Sequence, residues 1–196
     1  MFTGIIESLG EITQIKEEGS NRHFAVLSNL SAELKIDQSV SHDGVCLTVT
    51  RVEGNNHWVT AIDETLKKSN LGNLRVGSKV NLERCMLNNG RFDGHIVQGH
   101  VDQTGVLKNI INESGSWLFD FEYDPALGNV TVEKGSVSVN GTSLTCFNSV
   151  TNGFRVAIIP YTYEHTNFHM LKKGDVVNLE FDIIGKYVKR LLGMTR

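Results

Sequence analysis

Ser39-Val40-Ser41-His42-Asp43-Gly44-Val45-Cys46-Leu47-Thr48 and Ser136-Val137-Ser138-Val139-Asn140-Gly141-Thr142-Ser143-Leu144-Thr145 are two versions of one block. Position 39 aligns with 136, an offset of 97 residues. The same offset carries Thr65 to Thr162, Asn70 to Asn167, Leu74 to Leu171 and Gly77 to Gly174. It also carries Asn81-Leu82-Glu83 onto Asn178-Leu179-Glu180. Nearer the start the offset is 95, with Gly4 and Gly10 matching Gly99 and Gly105, as a small insertion between strands requires. A constant offset over so many separate blocks marks an internal duplication. The chain therefore reads as two copies of one unit, roughly 95 residues each, followed by a C-terminal segment.

Outward from that block, each copy has the texture of short strands joined by tight turns. Stretches such as Phe24-Ala25-Val26-Leu27, Cys46-Leu47-Thr48-Val49-Thr50-Arg51-Val52 and Trp117-Leu118-Phe119-Asp120-Phe121 alternate or run apolar. Gly54-Asn55-Asn56 and Thr151-Asn152-Gly153 each sit between two such runs, as hairpin turns do. Helical patterning is scarce. The sequence predicts a short helix over Ile62 to Asn70, another after Asp124-Pro125, and a third over Gly185 to Leu192. In the last, Tyr187, Val188, Leu191 and Leu192 share one face. A β-rich unit of this size solves its edge problem most simply by closing into a small antiparallel barrel.

Composition narrows the functional classes. Of 196 residues, 40% are hydrophobic and 21% charged, which excludes wholesale disorder and fibrous repeats. A net charge of −3 and an isoelectric point near 6.2 give no electrostatic handle for nucleic acid or an anionic membrane. Met1-Phe2-Thr3-Gly4-Ile5-Ile6-Glu7 lacks the basic start and apolar run of a signal peptide, and no stretch is long enough for a membrane helix. The three cysteines, Cys46, Cys85 and Cys146, are odd in number and widely spaced, which predicts reduced thiols in a cytoplasmic protein.

The positions where the copies differ point to chemistry. The first carries Cys46 where the second carries Ser143, each followed by Leu-Thr. A residue two further along a strand points to the same side, so Cys46 with Thr48, and Ser143 with Thr145, are expected to line one concave face per barrel. Gly4-Ile5-Ile6 matches Gly99-His100-Val101, and only the second copy has a histidine there. Each substitution alone reads blandly: a small buried cysteine, a turn serine, a surface histidine. Together on matched elements they favour a site. Metal binding is not expected, because there is no CxxC, HExxH or Cys/His cluster of ligand spacing. No glycine-rich phosphate loop or Walker lysine is present, and Ser143 lacks the glycines of a nucleophile elbow.

Met1-Phe2-Thr3-Gly4-Ile5-Ile6-Glu7, Asp43 to Val49, Gly99-His100-Val101-Asp102, Asn140 to Thr145 and the tail from Glu180 to Arg190 together resemble the riboflavin synthase family, of the homotrimeric alpha-chain type. The resemblance runs over essentially the whole chain in one register. It implies a mostly β fold of two tandem six-stranded antiparallel barrels, residues 1–95 and 96–184, and a short C-terminal helix at 185–196 that gathers three chains. It implies a cofactor-free and metal-free dismutation of two molecules of 6,7-dimethyl-8-ribityllumazine, giving riboflavin and 5-amino-6-ribitylaminouracil. Lumazine synthase is a candidate partner on the same ground.

By resemblance, the first pocket draws on Gly4, Ile5, Ile6, Cys46, Leu47, Thr48, Thr60, Ala61, Ile62, Asp63, Glu64 and Thr65. The second draws on Gly99, His100, Val101, Lys134, Ser143, Leu144, Thr145, Ile158, Ile159, Pro160, Tyr161, Thr162 and Tyr163. The catalytic candidates are His100, Ser143, Cys46, Thr145 and Asp182, with pockets that pair between subunits. Two departures stand out: the chain ends at Arg196, giving a short last helix, and Tyr161 and Tyr163 replace Glu64 and Leu66 around the repeated threonine. Two alternatives share the general fold. Fluorescent lumazine-binding antenna proteins bind without catalysis, yet here both halves keep their G-x-x-L-T block. Flavin-reductase barrels use an Arg-x-Tyr-Ser motif, which is absent.

Overall fold

A computed structural model describes residues 1–193. The last three residues of the expected terminal helical segment, 194–196, lie outside the described residues. The first barrel comprises β1 (Ser8–Glu18), β2 (Asn21–Leu27), β3 (Ser39–His42), β4 (Val45–Glu53), β5 (Asn56–Ala61) and β6 (Lys79–Arg84), closed in the order β1-β2-β5-β4-β3-β6. The second comprises β7 (Gln103–Asn112), β8 (Trp117–Tyr123), β9 (Ser136–Val139), β10 (Thr142–Val150), β11 (Gly153–Ile158) and β12 (Val176–Phe181), closed as β10-β11-β8-β7-β12-β9. Every strand pair is antiparallel, and closure leaves neither sheet with an open edge.

Alternation along the strands decides what faces inward. On β4, Val45, Leu47 and Val49 enter the first core, while Cys46 and Thr48 face out. On β10, Cys146 is buried in the second core and Ser143 and Thr145 face out. Side chains fill each lumen, Phe24, Val26, Leu71 and Leu82 among them in the first and Phe119, Phe121, Phe154 and Phe168 in the second. The predicted concave face is therefore on the outside of the barrel wall, because small barrels leave no interior room for a ligand.

The helices are short. α1 (Asp63–Lys68) falls inside the span predicted from Ile62 to Asn70, and a 3₁₀ turn, Asn70–Asn73, follows it. The helix expected after Asp124-Pro125 is only a 3₁₀ turn over Pro125–Leu127, stopped by Gly128 in the left-handed region. α2 (Pro160–His165) repeats α1 at the offset of 97, so the repeat itself carried a helix that local pattern did not show. α3 (Ile183–Leu191) begins two residues earlier than its apolar stripe suggests, because Asp182 accepts from the Ile184 N–H at 2.9 Å and caps it. Lys186, bonded to Asp102, and Lys189, bonded to the Gly128 carbonyl, tie α3 to the second barrel.

Candidate active site

The two barrels exchange their leading segments. Phe2 and Val97 form an antiparallel bridge, with Phe2 N–H to Val97 O at 2.7 Å and the reverse bond at 3.1 Å. Beyond it the Gly4 carbonyl accepts from Ser143 N–H of the second barrel at 2.8 Å, and the Gly99 carbonyl accepts from Cys46 N–H of the first at 2.9 Å. Both glycines have φ near +80°, and a Cβ would lie 2.6 Å from the Ser143 Cβ at Gly4 and 2.5 Å from the Cys46 Cβ at Gly99. No other residue fits either position.

This regroups the expected pockets. Within one chain Gly4 adjoins Ser143, and Gly99 adjoins Cys46, the reverse of the grouping by copy. Val101 packs on the first core, and the exposed His100 lies on the same segment. The offset reveals which residues are equivalent, but not which barrel each segment crosses to.

Two buried carboxylates hold the crossing segments. Glu83 accepts from Thr3 N–H at 2.7 Å, the Thr3 hydroxyl at 2.9 Å and Gly4 N–H at 3.0 Å. Glu180 does the same for Gln98 at 2.7 Å and for Gly99 and His100 at 2.9 Å each. Burial pushes both carboxyls up, and these N–H groups pull them back toward the charged form. The pair lay in the repeated Asn-Leu-Glu blocks, but its role depends on contacts some 80 residues away.

The second-barrel site is a shallow cavity of about 340 Å³ on the outer wall, lined by Lys134, Ser143, Leu144, Thr145, Phe147, Ala157, Ile159 and Thr162. Lys134 sits in the left-handed region with its ammonium 5.2 Å from the Phe147 ring centroid. His95, which sequence reasoning missed, places Nδ1 2.6 Å from Ser143 Oγ. Burial lowers the His95 pKa and the nearby Asp182 charge partly restores it, so at neutral pH the ring is an uncharged partner for the hydroxyl. Its only sequence signal was Gly94-His95, five residues before the more conspicuous Gly99-His100.

The remaining candidates divide by orientation. Ile158, Ala61 and Leu47 point into the cores and offer only their backbone outside. Ile159 and Ile62 are exposed where α2 and α1 begin, and Pro160 opens α2. Tyr161 is exposed and stacks on His165 with ring centroids 4.0 Å apart, while Tyr163 stacks on Trp117 at 3.8 Å. In the first half Thr60 bonds to His23 at 2.8 Å, Asp63 pairs with Lys67 and Glu64 with Lys68, and the Thr65 carbonyl receives the Ser69 hydroxyl. Ile5 is exposed and Ile6 half-buried. Burial pushes the Cys46 thiol up, so it stays protonated at neutral pH. Among the described residues no cluster of His, Cys, Asp and Glu forms a metal site, and no helix is long and apolar enough to cross a membrane.

A lumazine binding domain model matches residues 3–85 and again 98–182. Riboflavin synthase of Actinobacillus pleuropneumoniae is 42% identical over 196 residues, spanning 98% of this chain and 90% of that protein. Riboflavin synthase of Bacillus subtilis (strain 168) is 41% identical over 193 residues, again 98% and 90%. Among solved structures, LumP complexed with 6,7-dimethyl-8-(1'-D-ribityl) lumazine superposes with a TM-score of 0.83 at 21% identity, covering 92% of this chain and 98% of that one, a likeness of fold. Two copies of the domain and about 40% identity along nearly the whole length lead to one conclusion: the chain belongs to the riboflavin synthase family and is a transferase.

Proposed function

We propose that this protein joins two molecules of 6,7-dimethyl-8-ribityllumazine and moves a four-carbon unit from one to the other, releasing riboflavin and 5-amino-6-ribitylaminouracil. The observation that carries the reading is the full-length identity of about 40% to riboflavin synthases, with both halves keeping an outward-facing thiol or hydroxyl on the matched strand. Two like molecules in opposite roles suit two like walls that differ in detail. Holding both rings in contact makes the encounter intramolecular, an effect that can reach roughly 7–11 kcal/mol.

The 7-methyl group of the lumazine is acidic because its carbanion delocalises into the ring, so no strong base is required. In this reading the Lys134 ammonium and the Ser143 hydroxyl, which line the same cavity, stabilise that anion. The neutral His95 ring, bonded to Ser143, accepts or returns the proton through the hydroxyl. Cys46, protonated, serves the first half as a contact and weak donor. Asp182 biases His95 and anchors α3. His100 and Thr145 complete the two walls. We assign the protein to the cytoplasm and to a homotrimer in which first-half and second-half walls of different chains face each other. The exposed Ile184, Tyr187, Val188, Leu191 and Leu192 of the α3 region support that assembly.

Purified protein incubated with the lumazine alone tests the reading. One riboflavin should appear per two lumazines consumed, and the rate should survive exhaustive chelation. Turnover lost to a chelator and restored by zinc would overturn the cofactor-free mechanism. Tight binding without any riboflavin would move the protein to the antenna-type class.

A further inference from the structure

We propose, resting on the lumazine reading above, that His23 is a positioning residue of the first wall: it takes the hydrogen of the Thr60 hydroxyl, so that this oxygen meets the ligand only as an acceptor. Val59 and Ala61 enter the first core, so Thr60 between them faces out. β4 and β5 pair at Val49 and Val59, and the next step of that register sets Thr48 beside Thr60. On its other side Thr60 pairs with His23 of β2. The second barrel has Thr145, Ala157 and Leu118 in these three places, with Ala157 opposite Leu118. Ala157 lines the outer-wall cavity together with Lys134, Ser143 and Thr145. Thr60 therefore occupies the matching place on the first wall, and brings a hydroxyl where the second wall has a methyl.

The direction of the hydrogen follows from what stands behind the imidazole. His23 Nε2 lies 3.1 Å from Glu18 Oε2, and His23 Nδ1 lies 2.8 Å from Thr60 Oγ1. A carboxylate only accepts, so Nε2 carries the proton. In the uncharged ring Nδ1 is then a bare lone pair, and the Thr60 hydroxyl donates to it. A hydroxyl has one hydrogen, so what Thr60 keeps for the wall is lone pairs. Neighbouring cations do not compete for Glu18. Lys16, opposite His23 on β1, lies over the Trp58 ring at 4.9 Å, and Arg22 donates to Glu17 and to the Gly72 carbonyl.

A ligand group that touches Thr60 must therefore be a donor. The lumazine carries two kinds, the ring N–H and the hydroxyls of the ribityl chain, and either makes the same bond. At the matching place the second wall offers Ala157 and Leu118, which can take neither. Two identical molecules are then held unlike, the one on the first wall by an additional neutral hydrogen bond. Such a bond changes affinity by several-fold, enough to separate the walls without altering the chemistry.

The test uses the whole protein at about pH 8.5, where an imidazole is uncharged. Thr60→Ala should raise KM roughly fivefold with kcat unchanged, since the bond is present in the ground and transition states alike. His23→Leu, copying Leu118, should raise KM roughly two- to threefold, and His23→Asn, whose amide oxygen takes the place of Nδ1, should restore most of it. In the Thr60→Ala background His23→Leu should add nothing, because His23 acts through that hydroxyl. An undiminished effect there, or a KM that His23→Leu leaves unmoved, overturns the proposal. Competition by the 8-methyl analogue of the substrate, which keeps the ring N–H and lacks the ribityl hydroxyls, tells the donors apart. Its inhibition constant rises with Thr60→Ala if the ring donates, and stays put if the ribityl chain does. Wild type that forms no riboflavin would defeat the function proposed above, whereas nitrogen-15 NMR of the His23 ring needs no turnover. A protonated Nε2 and a bare Nδ1 are expected, and a proton on Nδ1 at that pH refutes the proposal.

Discussion

Inside the first barrel His57 Nε2 lies 2.8 Å from His42 Nε2, and His57 Nδ1 lies 2.8 Å from Ser31 Oγ. His42 Nδ1 faces the Val40 carbonyl and must carry a proton, so His57 donates from Nε2 and receives the serine hydroxyl at Nδ1. The offset of 97 puts Val139 and Phe154 in these places in the second barrel. There Phe119 and Phe168 meet edge to face at 5.2 Å, and Phe121 lies 5.6 Å from Phe154. One core is aliphatic with a buried polar row, the other aromatic. The outer walls hardly differ: each has a small polar residue on β4 or β10, a crossing glycine against it and a glutamate holding the glycine. The difference teaches that the lumen only has to be filled, whereas the wall has to keep its residue types.

The largest expected effect breaks the likeness of the walls. Ser143→Ala removes a donor from the second wall and should lower turnover by about 10²–10³, with His95→Ala similar and the double variant little worse than either. Steady-state kinetics beside thermal melts decide it, since equal losses of activity and melting temperature would make the pair mere packing.

The next prediction asks whether the unlike halves meet between chains. Thr48→Trp blocks the first wall and Ser143→Ala disables the second, so either variant alone has every site damaged. Equal mixtures refolded together should recover about a quarter of wild-type activity, the share of intact first halves that meet intact second halves in a randomly mixed ring. Heterotrimers seen by mass spectrometry without recovered activity would show that each site lies within one chain.

Acid sharpens the contrast of cores. Burial lowers the His42 pKa to about 3 and that of His57 to about 4. Folded values below the unfolded one mean that the unfolded chain takes protons first, so stability falls as pH drops from about 6.5 toward 4. Amides of the first barrel should lose hydrogen-exchange protection before those of the second. His42→Val with His57→Phe, copying the second core, should flatten that dependence, and an unchanged acid limb would place its origin elsewhere.

The smallest effect distinguishes α1 from α2. Lys67–Asp63 and Lys68–Glu64 are exposed pairs on α1, and α2 has Pro160, Tyr161, Glu164 and His165 in these places. Lys67→Ala with Lys68→Ala should cost about 0.5 kcal/mol, or roughly 1–2 °C in melting temperature, and a shift above 5 °C would mean these pairs do more than exposed pairs do.

Much of this was legible in the sequence, and the pattern of what was not is physical. The duplication showed in Ser39–Thr48 and Ser136–Thr145 because barrel closure repeats the same turn chemistry. Cys46 and Ser143 were visible as departures from that repeat. Hidden were the crossing of Gly4 and Gly99 and the His95–Ser143 bond. Each joins residues whose separation along the chain carries no periodicity. The helix after Pro125 failed because Gly128 ends it after one turn.

The crossing of Gly4 onto Ser143 also bears on synthesis. At ~5–20 residues per second, roughly 7–30 s separate the emergence of these two partners from the ribosome. Until Val97 emerges, partway through that interval, Phe2 lacks the backbone it bridges to. The first barrel can close its sheet early, but its neighbour's threshold residue and its own Cys46 backbone wait for the other half. A nascent chain stalled after β6 is therefore a closed barrel whose leader is held at Thr3 and Gly4 by Glu83 but still lacks its partners in the second half, and that intermediate is the one a chaperone would meet.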